Sequence, residues 1–160
     1  MSENTRASLV KKKMGFNQMR NTIYWLQRVM KQYNLSENDI EKRLLSMGRN
    51  IGASYSKEFY PNSKNQSDLI KELYKITIKS KVKIEQDFEI FTVTDNKSAL
   101  CKYQYKDIQT PGCNIVIGMI SEILERNGIE VKEMEILNCK THGDPYCKHS
   151  YKLAGVKETN

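Results

Sequence analysis

What this 160-residue chain lacks removes several roles at the outset. No stretch approaches the roughly 20 apolar residues that a membrane-spanning helix needs. The opening, Met1-Ser-Glu-Asn-Thr, carries no apolar signal-peptide core, so the expected location is cytoplasmic. No G-x-G-x-x-G nicotinamide fingerprint occurs, and no low-complexity tract interrupts a length suited to one domain with a real core. The net charge is +7, yet the basic residues are scattered except at Lys11-Lys12-Lys13. No helix-turn-helix, RNA-binding or zinc-finger pattern accompanies them, so nucleic acid is not an expected partner and the charge reads as solubility.

Cysteine is sparse too, with four in all and none before Cys101. In a reducing cytosol such thiols point to metal or redox chemistry before disulfides. Cys139 and Cys147 flank a turn at Gly143-Asp144-Pro145, and Cys113 follows Pro111-Gly112. The C-x2-C pairs of zinc ribbons are missing, but thiols gathered by a tight turn still suit a soft-ligand ion, with Zn2+ the natural choice. Cys113, Cys139 and Cys147 form the expected metal triad. The fourth ligand stays open among His149, His142, Asp144, water or a ligand group. Cys101 reads as a small buried hydrophobe on its strand.

Hydrophobic spacing predicts helices first and a mixed second half. Phe16, Met19, Ile23, Leu26 and Met30 share one face of a helix over 16–33, with a stop at Asn34. Ser36 offers an N-cap to a second helix whose stripe is Ile40, Leu44, Met47, Ile51, Tyr55 and Phe59, closed by Pro61. A third helix begins near Ser67. Residues around 82–92 read as extended chain with a turn at Asp95-Asn96, and Ala99, Cys101, Tyr103 and Tyr105 alternate as a half-buried strand. A fourth helix covers 112–127, with Cys113 at its N-terminus, where the dipole favours a thiolate. Strands over roughly 129–139 and 147–153 follow. The expected fold class is α+β, a helical N-terminal half packed on an antiparallel sheet. The domain spans 16–153, with tails at 1–15 and 154–160.

Gly112-Cys113, the helix through Asn127-Gly128, and Cys139-x7-Cys147 together resemble the 4-vinyl reductase domain, a small-molecule-binding module. In ligand-sensing members attached to aromatic-responsive regulators, three cysteines in this order hold a structural zinc, which implies that role for Cys113, Cys139 and Cys147. Those members add a glutamate three residues before the second cysteine; this chain has Ile136 there, with Glu135 adjacent as a possible fourth ligand. Leu44 to Gly52 is similar to the central helix of TRAPP vesicle-tethering subunits, which share the α+β fold of the NO-signalling and Golgi-transport type. Gly48 and Gly52, four apart, would admit a close helix neighbour.

The resemblance implies an apolar pocket between helices and sheet, and dimerisation through the helices. Candidate pocket walls are Trp25, Tyr55, Phe59, Tyr74, Phe88, Phe91 and Tyr103. The expected function is binding or sensing of a small hydrophobic ligand by a zinc-containing domain that is not an enzyme and acts through a homodimer or a partner protein. The alternatives are a reductase-like or other enzyme on a hydrophobic substrate, and a tethering or scaffold subunit of TRAPP type.

Overall fold

The computed structural model describes residues 6–58, 60, 62–63 and 65–154, with side chains from Met14 onward. Helix α1 spans Arg6–Gln32, so residues 6–15, expected as tail, are helical. It turns Ile23, Tyr24 and Met30 into the core, and Asn34 ends the segment at φ 58°. Helix α2, Glu37–Tyr55, starts where the Ser36 Oγ accepts from the Asp39 amide at 3.2 Å. Helix α3, Gln66–Thr77, is capped by Asn65, which accepts from the Asp68 amide at 2.8 Å. Phe59 and Pro61, the expected end of the second helix, lie outside the described residues.

Helix α4, Cys113–Arg126, is buried on nearly every side. It packs against both α2 and the sheet, which explains why apolar residues run round it instead of along one stripe. The α2–α4 approach depends on glycine. A Cβ at Gly48 would lie 2.2 Å from the Ile115 carbonyl oxygen, one at Gly52 2.5 Å from that of Met119, and one at Gly118 2.4 Å from that of Leu45. These distances are too short for any side chain, so the two backbones interlock through bare glycines on both helices.

Four strands form one antiparallel sheet: β1 Lys83–Asp87, β2 Ile90–Asp95, β3 Val131–Asn138 and β4 Cys147–Leu153, in the order β1-β2-β4-β3. Cys147, His149, Tyr151 and Leu153 of β4 all point inward, as their alternation predicts. The register sets Cys147 opposite Asp95 and Lys148 opposite Asn138, so the ends of β2 and β3 meet the start of β4.

Two extended segments differ from expectation. The hairpin register pairs Asp87 with Ile90, leaving Phe88 and Glu89 as a two-residue turn with Phe88 at φ 51°. Residues 99–105 make no strand, because α1 side chains take their carbonyls instead. Arg20 Nε donates to the Ala99 oxygen at 2.9 Å, and the Tyr24 hydroxyl reaches the Leu100 and Tyr103 oxygens at 3.4 and 3.3 Å.

Candidate metal centre

The strand ends, the start of α4 and the 96–112 loop converge on four sulfurs. Cys113 Sγ lies 3.3 Å from Cys101 Sγ and 3.7 Å from Cys139 Sγ, and Cys139 Sγ lies 3.8 Å from Cys147 Sγ. All four are buried free thiols, and their sulfurs lie within 4.8 Å of one another. A tetrahedral zinc with Zn–S bonds of about 2.3 Å has sulfur–sulfur edges of about 3.8 Å. The cage therefore has the size and the donor set that such an ion takes.

The loop between Cys139 and Cys147 is built to present sulfur. The Cys139 amide donates to Asp144 Oδ2 at 2.8 Å, and the Thr141 amide donates to Cys139 Sγ at 3.4 Å. A short 3₁₀ turn over Lys140–His142 ends at Gly143, whose φ of 92° closes it.

Electrostatically the four thiols divide. Cys139 is pulled far below the usual thiol range and Cys147 to about 7, in both cases first by hydrogen bonding with Cys101 and then with Cys113. Cys113 is pushed well up by its bonds to Cys101, Cys139 and Cys147 and by burial. At Cys101 the bond to Cys113 pulls down, but Cys139, Cys147 and burial outweigh it. Four negative charges do not fit one buried cage without a cation, which is why the neighbouring sulfurs and burial favour the protonated form at Cys101 and Cys113. A divalent ion removes that conflict.

A fourth sulfur stands with the three expected from the sequence. Cys101 is buried, as expected, but it completes the cage rather than packing alone. His149 stands outside the group of four: its Nδ1 lies 2.7 Å from the Tyr74 hydroxyl, which lies 2.7 Å from that of Tyr151. Burial lowers its pKa to about 4, against an opposing pull from Cys147, so the ring is neutral, and Nε2 has no hydrogen-bond partner among the described residues. Glu135 is exposed on β3. His142 is exposed as well, with Nε2 2.8 Å from the Gln109 oxygen, and Asp144 serves the loop.

The expected pocket walls differ in their burial. Trp25 is 65% and Phe88 91% exposed, and Tyr55 and Tyr103 also face outward. Tyr74 and Phe91 are core residues, and Phe59 lies outside the described residues. Instead, a trough of about 760 Å³ runs between α1 and α2, lined by Leu26, Val29, Met30, Leu35, Met47 and Ile51 among others. No described helix is long and apolar enough to cross a membrane.

No protein-family model and no curated protein sequence matches this chain. Among solved structures it is similar to trafficking protein particle complex subunit 3 from Naegleria fowleri, which was solved covalently bound to palmitic acid. The TM-score is 0.75 at 18% identity, covering 92% of this chain and 99% of that one. The fold is therefore TRAPP-like, helices packed with a four-stranded antiparallel sheet. The likeness extends over nearly all of both chains.

Proposed function

We propose that this chain is a non-catalytic assembly module of tethering-subunit type, pairing through its α1–α2 face and closed by one structural zinc. The trough carries this reading: it is mostly apolar, it lies open, and helix α1 also exposes Met14, Met19 and Trp25. Exposed apolar surface of this kind is what a protein interface covers. A second copy is the favoured occupant, in keeping with the fold shared with a subunit of a multi-protein complex.

The thiol cage supports the zinc. Cys101, Cys113, Cys139 and Cys147 would hold the ion and tie the 96–112 loop, the start of α4 and the ends of β3 and β4 together. Four protein sulfurs fill a tetrahedral ion's positions and leave none for water or substrate, which disfavours a hydrolytic or reductive role for it. Reduced thiols of this kind suit a cytoplasmic setting.

A second reading, binding of a small hydrophobic ligand, draws on the same trough, whose size falls within the range of ligand sites. The similar Naegleria protein carries palmitic acid covalently. No cysteine lines the trough here, so an acyl chain would be held without a covalent bond. Light scattering during size-exclusion chromatography should give twice 18.6 kDa, and native mass spectrometry one zinc per chain. A monomer at micromolar concentration overturns the pairing. A monomer with a co-purified organic mass moves the reading to ligand binding, and zinc-free reduced protein removes the metal.

A further inference from the structure

Beside the thiol cage, and separate from the trough, lies a second concavity of about 300 Å³ between α1 and the 96–102 loop. Its lining includes Arg20, Lys97, Lys102 and Lys140 and no carboxylate. Every ion pair among the described residues engages other cations.

Arg20 makes the imbalance meaningful. Its side chain belongs to a residue only 4% exposed, and a buried guanidinium is costly unless a negative charge balances it. Its partners among the described residues are all neutral: the Ala99 oxygen at 2.9 Å, Asn17 Oδ1 at 3.0 Å and the Tyr103 ring at 5.2 Å. Lys102 Nζ stands over the same ring at 5.3 Å, and Lys140 Nζ donates to the Asn96 oxygen at 2.6 Å. The nearby carboxylate, Asp95, is buried: its Oδ1 accepts from the Ser80 hydroxyl and the Lys97 amide, Oδ2 has no hydrogen-bond partner among the described residues, and of the four cations Lys140 acts on it through space.

Four cations round one concave site, Arg20 among them buried, focus a positive potential that a compact multivalent anion satisfies best. Guanidinium and ammonium groups together are the usual donors to phosphate oxygens. The geometry points to a phosphate-binding pocket formed by Arg20, Lys97, Lys102 and Lys140, taking a phosphorylated small molecule or a phosphorylated lipid headgroup. The volume holds a phosphate with a small polar group attached. This inference goes beyond the assembly and zinc readings and stands if either fails, since the pocket needs neither an ion nor a second copy.

The test uses the full chain as purified, with inorganic pyrophosphate as the soluble probe. The lipid probe is phosphatidylcholine vesicles carrying phosphatidylinositol 4-phosphate, set against phosphatidylserine vesicles of matched charge. Calorimetry should show saturable pyrophosphate binding that weakens at least about tenfold in the Lys97→Glu/Lys102→Glu variant, whose changed side chains are exposed. The Lys42→Glu/Lys75→Glu variant makes the same charge change on α2 and α3, away from the pocket, and should bind as the parent does. Preference for the phosphoinositide vesicles over phosphatidylserine identifies a headgroup, and pyrophosphate binding without that preference identifies a soluble ligand. Equal loss in both variants shows only general charge attraction, and no saturable binding to either probe is equally decisive; both overturn the pocket.

Discussion

Cys101 Sγ lies 3.3 Å from Cys113 Sγ, a contact that two residue-level substitutions can weigh. Cys101→Ser should lower zinc content below one per chain under mild chelation and destabilise the fold by several kcal/mol, as loss of a structural metal does. For a chain of this size that corresponds to a melting temperature lower by about 10 °C. Glu135→Gln, at an exposed position, should change stability by no more than about 0.5 kcal/mol and leave the zinc in place. Equal behaviour of the two would remove Cys101 from the centre. Tyr74 links His149 and Tyr151 through one buried hydroxyl. Tyr74→Phe should cost about 1–3 kcal/mol in urea unfolding, because both partners lose a hydrogen bond where water does not reach. Zinc content should stay unchanged, which separates the tyrosine–histidine network from the sulfur cage.

Among the elements, the α2–α4 contact is the tightest helix pairing and rests on Gly48, Gly52 and Gly118. A methyl at Gly48 meets backbone, which cannot swing aside as a side-chain tip can. Gly48→Ala should therefore destabilise by about 3 kcal/mol or more, at the upper end of overpacking costs. Gly15, in exposed α1, has nothing within 4 Å of an added Cβ. Gly15→Ala should gain about 0.5–1 kcal/mol from helix propensity alone. Thermal melts of the two variants should move in opposite directions. A neutral Gly48→Ala would mean that the helices are not in backbone contact.

For the whole molecule, the decisive surface is the trough between α1 and α2. Val29 lines it without being buried in the core, so a charge there should disrupt pairing and spare the fold. If the face pairs as proposed, Val29→Glu should give a monomer in light scattering where the parent gives a dimer, with the circular dichroism spectrum and the metal content unchanged. A dimer that survives this change is formed by another face. The charge distribution acts at the same scale: ion pairs such as Arg28–Asp107 and Arg49–Glu125 are spread over the surface, while the cations of the 300 Å³ pocket stay together.

The amino-acid sequence by itself determined the features that depend on neighbours along the chain. The Ser36 cap, the stop at Asn34, the inward face of β4 and the span of α4 with its Gly128 terminator all follow from local spacing and from which residues tolerate a given backbone. The same local logic exposed the glycines of α2, and it placed Cys113, Cys139 and Cys147 at element ends. What needs distant parts of the chain was decided in three dimensions. Cys101 looks like a strand hydrophobe because its neighbours alternate, yet α1 side chains hold its loop and turn the thiol toward Cys113. Phe88 reads as strand until the register of β1 with β2 leaves it to make the turn. The trough and the phosphate pocket each combine residues of α1 with segments distant in sequence, α2 in one case and the 96–102 loop with Lys140 in the other. A spacing rule reaches only as far as one element, whereas sites are made where packing sets two or more elements side by side.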